Sequence, residues 1–317
     1  MLSILKAGLS SIQDAGRVGY EALGIGHGGF ADPDSAQVAN LLVGNSMESP
    51  CIEICESRFE LRATQAIQIA CFGAWVELCV ISADAQTQRI VPAGRAFSLS
   101  AGESLHVQRW FAGRTFYLAF AARLQVPQVL GSSSTDLANQ FGGLDGRMLK
   151  NGDALAFESI LPASANKPAS NALPIPIWPS SSARAISPLR FLACRAELAT
   201  QLHQQSYQFT PQCSRAALRL QGPALQVNAA LSSALSAGVI PGTLQVLPSG
   251  EPLVLGVDAQ TLGGYPIAGC VIQADLPLLA QLRVGALVRF ECVDWVEAVR
   301  IHREYAARRN RQLSCIP

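Results

Sequence analysis

The sequence predicts a mainly β protein with two barrel-like or sandwich-like domains and a few short helices. Short apolar runs recur along its 317 residues, and turns rich in its 26 glycines and 18 prolines separate them. Many short strands with such turns are typical of barrels and sandwiches rather than of alternating β and α units. A stretch rich in Pro, Ser and Ala predicts a linker at 161–185 between an N-terminal β domain at 1–160 and a C-terminal β domain at 186–317.

Predicted strands occupy both domains. Arg58–Arg62 alternates charged and apolar residues, as a strand with one buried face does. β-rich runs at 66–69 and 75–81 predict two separate strands. Later in the chain, apolar runs at 244–247 and 253–257 flank a five-residue segment containing Pro and Gly, which predicts a hairpin.

Helices are predicted to be few. Asp32 has the character of an N-cap at the start of one helix, and Gly44 ends its apolar periodicity. Two further helices are predicted at 276–282 and at 295–311. The last is expected to turn Val296, Val299, His302 and Tyr305 inward and its arginines to a solvated face.

Composition narrows the class of protein. Charged residues make up 15% and hydrophobic residues 49%, the mean hydropathy is +0.24 and the net charge is +1. Such a charge supplies no field for nucleic acid or for anionic lipid, and the apolar composition predicts contact with a partner chain or with a second copy. We find no apolar run long enough for a membrane span and no signal-peptide pattern, so we expect a cytoplasmic protein.

Cysteine and histidine spacing indicates neither disulfides nor a metal site. The nine cysteines include no C-x-x-C pair, and the four histidines are isolated from one another. Reduced, mostly buried thiols are therefore expected, and zinc spacing is absent from the sequence.

The first candidate site segment begins at Gln13, Asp14 and Arg17 and continues through glycines around His27. Glycines cluster where φ is positive or where something approaches the backbone closely, and polar residues on such loops often form sites. Arg17 with glycine N–H groups suits an anionic or carbonyl ligand. The alternative is a structural cluster in which Asp14 caps a turn and Arg17 pairs with it. For His27 we expect proton transfer or ligand contact.

The second candidate segment is Asp258–Pro266, which sets Gln260, Thr261 and Tyr265 among glycines. A tight barrel corner would explain the glycines without any ligand. The functional hypothesis is that this loop lines one pocket together with Arg17 and His27.

A third polar loop joins Ser132–Asp136 to Gly142–Arg147, where hydroxyls and glycines would either donate to phosphate or make turns.

Other nucleotide and hydrolase motifs are weak or missing. Gly24, Gly26 and Gly29 fit the dinucleotide G-x-G-x-x-G pattern, but no βαβ context surrounds them. Neither a Walker loop nor a G-x-S-x-G elbow occurs in the sequence.

Taken in order, these blocks resemble the family named biotin-dependent carboxyltransferase, allophanate hydrolase subunit 2 or 5-oxoprolinase C subunit. Ile12–Tyr20 matches the family's N-terminal motif V-Q-D-x-G-R-x-G-Y, and Ala39–Asn45 continues the match. Val126–Asp153 follows its V-P-x-V-L-G-S-x-S-T and G-G-x-x-G-R-x-L-K-x-G-D blocks. Gly242–Pro266 follows the last block, ending in D-x-Q-T-x-G-G-Y-P.

The resemblance implies two cyclophilin-like β-barrel domains and a subunit of an ATP-dependent 5-oxoprolinase. It further implies work with a B-type sister subunit and an A-type subunit, with ATP bound by this chain or by its partner. Residues carried over from the motifs as catalytic are Gln13, Asp14, Arg17, His27, Gln260, Thr261 and Tyr265. Those carried over as substrate-binding are Gly29, Asp32, Ser134, Arg147, Arg215, Gln245, Asp258, Gly263 and Gly264.

Two alternatives stay open within the resemblance. One is carboxyl transfer from carboxybiotin, with the biotin on a partner because no A-M-K-M motif occurs here. The other is a regulatory protein that antagonises a kinase inhibitor. The chain also departs from the family pattern at positions where glycines or polar residues are expected, namely Ala121, Ala122, Ser214, Ala237 and Ala259.

Overall fold

The computed structural model describes residues 1–160, 188–228 and 235–316. They divide into two units, of which the first contains 1–17, 32–160 and 311–316, and the second contains 18–31, 188–228 and 235–310. The predicted linker at 161–185 lies outside the described residues. A short N-terminal segment, 18–31, thus belongs with the C-terminal half of the chain. The mainly β class is confirmed in both units.

The first unit is built on a nine-stranded antiparallel sheet. Its elements are β1 (Leu2–Lys6), β2 (Leu9–Gln13), α1 (Pro33–Leu42), β3 (Cys51–Cys55), β4 (Glu60–Ala63), β5 (Ile67–Ile81), β6 (Gln88–Val91), β7 (Ala96–Leu99), β8 (Ser104–Phe120), β9 (Ala122–Leu124), β10 (Ala154–Leu155) and β11 (Phe157–Ile160). The order is β10-β1-β4-β8-β3-β2, with β5 pairing β6, β7 and β8, while β9 and β11 form a separate pair. Ile52, Ile54 and Phe116 contribute to its apolar core, all fully buried.

One strand replaces the two predicted at 66–69 and 75–81. β5 runs unbroken for 15 residues and pairs with β8 along most of that length. Gly73 has φ +126°, and the register shifts just after it. A Cβ at Gly73 would lie 2.7 Å from the Thr115 carbonyl oxygen. The glycine therefore bends the strand at a bulge instead of ending it.

The second unit is built on a closed barrel. Its elements are β12 (Pro188–Ala193), α2 (Ala196–Gln204), β13 (Ser206–Cys213), β14 (Ala217–Gln221), β15 (Ala237–Gly238), β16 (Thr243–Val246), β17 (Pro252–Leu255), β18 (Leu262–Gly263), β19 (Ile267–Val271), α3 (Leu276–Gln281), β20 (Leu287–Val293) and α4 (Trp295–Ser314). The barrel closes in the order β12-β19-β16-β17-β14-β13-β20, with β12 and β20 parallel. β16 and β17 form the predicted hairpin. β15 and β18 pair separately as a short ribbon.

The helices agree with the sequence in position more than in orientation. α1 begins after Asp32, whose carboxylate accepts hydrogen bonds from the Ser35 N–H at 3.2 Å and the Ser35 hydroxyl at 2.6 Å, so the predicted N-cap is confirmed. α4 buries Ala298 and Ile301, and Val299 and Tyr305 are half-buried. Val296 is 77% exposed and His302 is exposed as well, so the inward placement predicted for these two residues was wrong. Among the described residues no helix could cross a membrane.

Candidate functional site

The first predicted motif folds onto the third polar loop within the first unit. The Asp14 carboxylate accepts hydrogen bonds from the hydroxyls of Ser132 and Ser134 and from the Ser133 N–H, each at 2.5 Å. It also accepts from the Gly16 N–H at 2.9 Å, which closes the predicted turn. Asp14 is 6% exposed. These bonds orient both hydroxyls toward Asp14, and a buried carboxylate with four donors is well compensated for its loss of water.

Arg17 stabilises the same loop from the other side. Its Nη2 donates to the Ser134 carbonyl at 2.6 Å, and its Nε donates to the Val129 carbonyl at 3.4 Å. The guanidinium lies 4.8 Å from the centre of the Phe141 ring, and the residue is 1% exposed. Gln13 joins the loop as well, donating to the Thr135 carbonyl at 3.3 Å. This arrangement favours the structural-cluster interpretation, while a ligand role for Arg17 stays a prediction.

Asp32, Tyr117 and Glu53 form a second buried cluster in the first unit. The Tyr117 hydroxyl donates to Glu53 Oε2 at 2.7 Å and accepts from the Asp32 N–H at 2.8 Å. Burial raises the pKa of the Tyr117 phenol well above its usual value, and the charges of Glu53 and Asp32 raise it further. The phenol therefore stays protonated as a donor. Asp32, predicted to bind substrate, is seen here as a helix cap.

Arg147 is also engaged in an internal contact. Its guanidinium makes two hydrogen bonds to the Asp153 carboxylate, at 2.8 and 3.0 Å, and Asp153 accepts a third from the Lys150 N–H at 2.7 Å. The hydrogen bond from Arg147 lowers the pKa of Asp153 below its usual value. The R-x-L-K-x-G-D block thus closes a turn around an ion pair, and its predicted substrate contact stays untested.

In the second unit, the His27 loop meets the strand end that precedes the second motif. The Gly28 N–H donates to the Val257 carbonyl at 3.1 Å. A Cβ at Gly26 would lie 2.7 Å from the Ala259 carbonyl oxygen, so the two backbones approach as only glycine allows. The half-buried His27 lies between these contacts, with Nδ1 3.1 Å from the Gly28 carbonyl oxygen. Two segments far apart in sequence are therefore adjacent, while the pocket predicted between His27 and the Gln260–Tyr265 loop stays a prediction.

An ion pair fixes both of these segments. Arg215 donates to Asp258 through Nε at 2.7 Å and through Nη2 at 2.9 Å, and Nη2 also contacts the Gly29 carbonyl. The Asp258 N–H donates to the Arg215 carbonyl at 3.1 Å. The side chains are 12% and 11% exposed. A two-pronged Arg–carboxylate pair of this kind gives geometric precision as well as energy. Arg215, Asp258 and Gly29, all predicted to contact substrate, therefore contact one another.

Beyond Asp258 the loop reaches the surface. Gln260, Gly264 and Tyr265 are exposed, and Thr261 is half-buried. The Thr261 carbonyl accepts from the Val239 N–H at 3.0 Å. The polar side chains of this motif are therefore available to a ligand or to a partner chain.

Gln245 is the predicted site residue with the least expected surroundings. It is 0% exposed, and within the described residues neither its Nε2 nor its Oε1 has a hydrogen-bond partner. It lies close beneath Gly263, where an added Cβ would be 2.3 Å from Gln245 Nε2. Strand alternation turns position 245 away from the barrel core that contains Leu244 and Val246, so periodicity alone would have placed this polar side chain at the surface.

The structure therefore separates the predicted site residues into two groups. Gln13, Asp14, Arg17, Asp32, Ser134 and Arg147 belong to the first unit. His27, Gly29, Arg215, Gln245, Asp258, Gln260, Thr261, Gly263, Gly264 and Tyr265 belong to the second. The second group contains the exposed polar side chains and is the stronger candidate site. A shared pocket that includes Arg17 stays a prediction.

The departures from the family pattern fit their surroundings. Ala121 and Ala122 are buried without positive φ, so alanine carries no backbone strain there. Ala259 packs with Val239 and neighbouring leucines in an apolar cluster on the second unit. The Ser214 hydroxyl accepts from two following backbone N–H groups, as a turn residue does.

Comparison with known proteins gives the class. The family model described as carboxyltransferase domain, subdomain A and B, matches residues 23–292, and the chain belongs to this family. It is similar to the 5-oxoprolinase C subunit of Escherichia coli, with 33% identity over 96% of this chain and 95% of that protein. The 5-oxoprolinase C subunit of Haemophilus influenzae is also 33% identical, over 93% of this chain and 92% of that protein.

Solved structures show the same fold. The Kluyveromyces lactis urea carboxylase superposes with a TM-score of 0.84 at 22% identity, covering 98% of this chain and 29% of that chain. Solved relatives at 30% identity are also longer, since this chain spans about half of them, 55 to 56%.

Proposed function

We propose that this chain is the C-type subunit of a 5-oxoprolinase, which converts 5-oxoproline to glutamate with ATP together with B-type and A-type subunits. One observation carries the proposal. The similarity to the Escherichia coli protein extends over nearly the whole of both chains, so both units of this chain have counterparts there. The urea carboxylase match covers 29% of that chain, and most of that protein has no counterpart here.

The chemistry of the second unit is consistent with this role. A lactam carbonyl is a poor electrophile, and phosphorylation of its oxygen makes ring opening feasible. In the proposed arrangement Arg215 and Asp258 hold the loop, while Thr261 and adjacent glycine N–H groups donate to the lactam oxygen as charge develops. The exposed Gln260 then contacts the substrate carboxylate.

We assign the ATP phosphates to the partner subunit. The hydroxyls of the loop at 132–134 were the sequence's candidate donors to phosphate. Two of them, those of Ser132 and Ser134, donate to Asp14 instead. A phosphate at that position would stand against a buried carboxylate, and the like charges would repel. We therefore do not assign a phosphate to this loop.

Reconstitution tests the proposal. The purified chain is mixed with the B-type and A-type subunits, 5-oxoproline and ATP, and glutamate and ADP are measured while each subunit is omitted in turn. We expect turnover that requires this chain. Thr261→Val should lower kcat/KM by about 100-fold, the scale of one lost preorganised donor. Thr210→Val, a position on β13 that is half-buried like Thr261, is the matched control and should leave the rate unchanged.

Arg17→Ala separates the two interpretations of that residue. If Arg17 only stabilises its loop, the variant unfolds at lower denaturant concentration while the folded complex keeps its kcat/KM.

Absence of turnover with every subunit present would reject the proposal. Carboxyl transfer from carboxybiotin would then be assayed, because the family and the urea carboxylase fold favour it next.

A further inference from the structure

Gln245 lies on the outer face of the barrel wall. Its neighbours in β16, Leu244 and Val246, point into the barrel core, so alternation turns Gln245 outward. Its partners in the flanking strands are Leu253 and Ile267. The register between β16 and β19 shifts at Gln245, and such bulges re-aim side chains, often beside sites.

A thin ribbon covers this side chain. It consists of two residue pairs, Ala237 with Gly263 and Gly238 with Leu262. Its outer surface is exposed at Ala237, Gly238 and Leu262, while Gly263 lies against the carboxamide. A ligand would reach the carboxamide by displacing this ribbon, and short exposed pairings open locally at lower free energy than a barrel core does.

The surroundings of the carboxamide are apolar. Val239, Leu253 and Leu255 belong to the same outer cluster, and Ile267 packs against it. Removing a carboxamide from water without replacing its hydrogen bonds is unfavourable, and native proteins seldom leave such a group unpaired. A leucine or methionine would suit these neighbours better. The carboxamide is therefore best explained by a ligand that completes its hydrogen bonds.

We propose that Gln245 recognises the amide edge of a lactam beneath the ribbon, an inference that rests on the proposed function. In a five-membered lactam the N–H and C=O lie side by side in the cis arrangement. A primary carboxamide presents the complementary pair, Nε2 to the lactam oxygen and Oε1 to the lactam N–H. Two parallel hydrogen bonds then form, and the ring methylenes meet the surrounding apolar side chains. A ring amine such as proline has no carbonyl in its ring for the first of these bonds.

The test uses the full chain and four probes: 5-oxoproline, 2-pyrrolidinone, N-methyl-2-pyrrolidinone and proline. The side-chain NH₂ resonance of Gln245 is followed by ¹⁵N–¹H NMR on the wild-type protein. We expect it to shift with the first two probes. N-methylation removes the lactam N–H, so N-methyl-2-pyrrolidinone should bind about tenfold more weakly than 2-pyrrolidinone. Proline should leave the resonance in place.

Variants add a second readout. Gln245→Leu should weaken 5-oxoproline binding by about tenfold or more without lowering the melting temperature, because no protein hydrogen bond is lost. Tyr207→Phe is the matched control. It removes a hydroxyl inside the barrel that, like the Gln245 carboxamide, is buried and lacks a partner among the described residues. It should bind 5-oxoproline as the wild type does.

Three results would overturn the inference: an unmoved Gln245 resonance with both N–H lactams, unchanged affinity in Gln245→Leu, or equal binding of 2-pyrrolidinone and its N-methyl derivative. If Gln245→Leu does not fold, the wild-type resonance decides. Turnover by the reconstituted complex reports separately on the proposed function. Turnover unaffected by Gln245→Leu rejects this subsite alone, whereas lactam binding through Gln245 without turnover supports the subsite and rejects the 5-oxoprolinase assignment.

Discussion

Replacing Asp14 by Asn should strongly destabilise the first unit. The orientation that keeps most hydrogen bonds places the Asn oxygen where Oδ1 now accepts from the Ser132 and Ser134 hydroxyls and the Gly16 N–H. The NH₂ group then faces the Ser133 N–H. That backbone donor is then buried without an acceptor, which costs about 1–3 kcal/mol. The three remaining bonds lose their charged acceptor, at about 0.5–1 kcal/mol each. We expect the free energy of unfolding to fall by about 2.5–6 kcal/mol, a large share of a typical domain's stability.

Equilibrium denaturation in urea, followed by circular dichroism, measures this change. Asp145→Asn is the matched control, because Asp145 is 77% exposed at its side chain and has φ +57°, which Asn tolerates. The control should change the free energy of unfolding by less than about 0.5 kcal/mol. If Asp14→Asn unfolds within about 0.5 kcal/mol of the wild type, the hydrogen bonds to Asp14 do not contribute as argued.

Three further outcomes are expected. Gly142→Ala should destabilise the protein more than Gly152→Ala. Both glycines have positive φ, but only at Gly142 would the added Cβ meet a carbonyl, the Ser134 oxygen at 2.0 Å. Equal losses of melting temperature in the two variants would contradict the importance of this clash. Tyr117→Phe should lower the free energy of unfolding by about 1–3 kcal/mol, and an unchanged urea midpoint would contradict the buried hydrogen bonds assigned to that hydroxyl. The hydrogen bond from Arg147 lowers the pKa of Asp153, so the stability that this pair contributes is complete above the unfolded pKa of about 3.9 and is lost as the pH falls below it. Asp153→Asn should flatten this acid slope in a pH series of unfolding curves. An unaltered slope would refute the assignment.

Local rules predicted the elements that depend on local chemistry. The Asp32 cap, the β16–β17 hairpin and the position of α4 all follow from residues within one or two turns of each other. The break expected between 69 and 75 was wrong, because pairing with β8 continues through the bulge at Gly73. α2 was not predicted, since its buried Leu198 and Leu202 form only a short stripe that tertiary packing completes.

The candidate site was less accessible to sequence reasoning. Motifs identified the residues correctly as polar groups set among glycines, but side-chain burial decides their roles. For Asp14 and Arg17 the sequence left a ligand contact and a structural cluster open. Contacts with the loop at 132–135, more than a hundred residues away in sequence, favour the structural cluster. The unpaired carboxamide of Gln245 is invisible in the sequence, because it depends on which strand and which ribbon enclose it.

The path of residues 18–31 limits how this protein can be divided. A C-terminal fragment starting at 186 would contain every strand of the closed barrel and still lack the segment that supplies the Gly28 bond to Val257 and the Gly29 carbonyl to Arg215. Cutting the chain between its halves would therefore leave each fragment with an incomplete unit. During synthesis, residues 18–31 emerge long before the strands they join, so the second unit reaches its full set of contacts only when the barrel folds back onto a segment already made. A domain exchange that uses the second unit of this chain has to transfer that early segment together with the barrel.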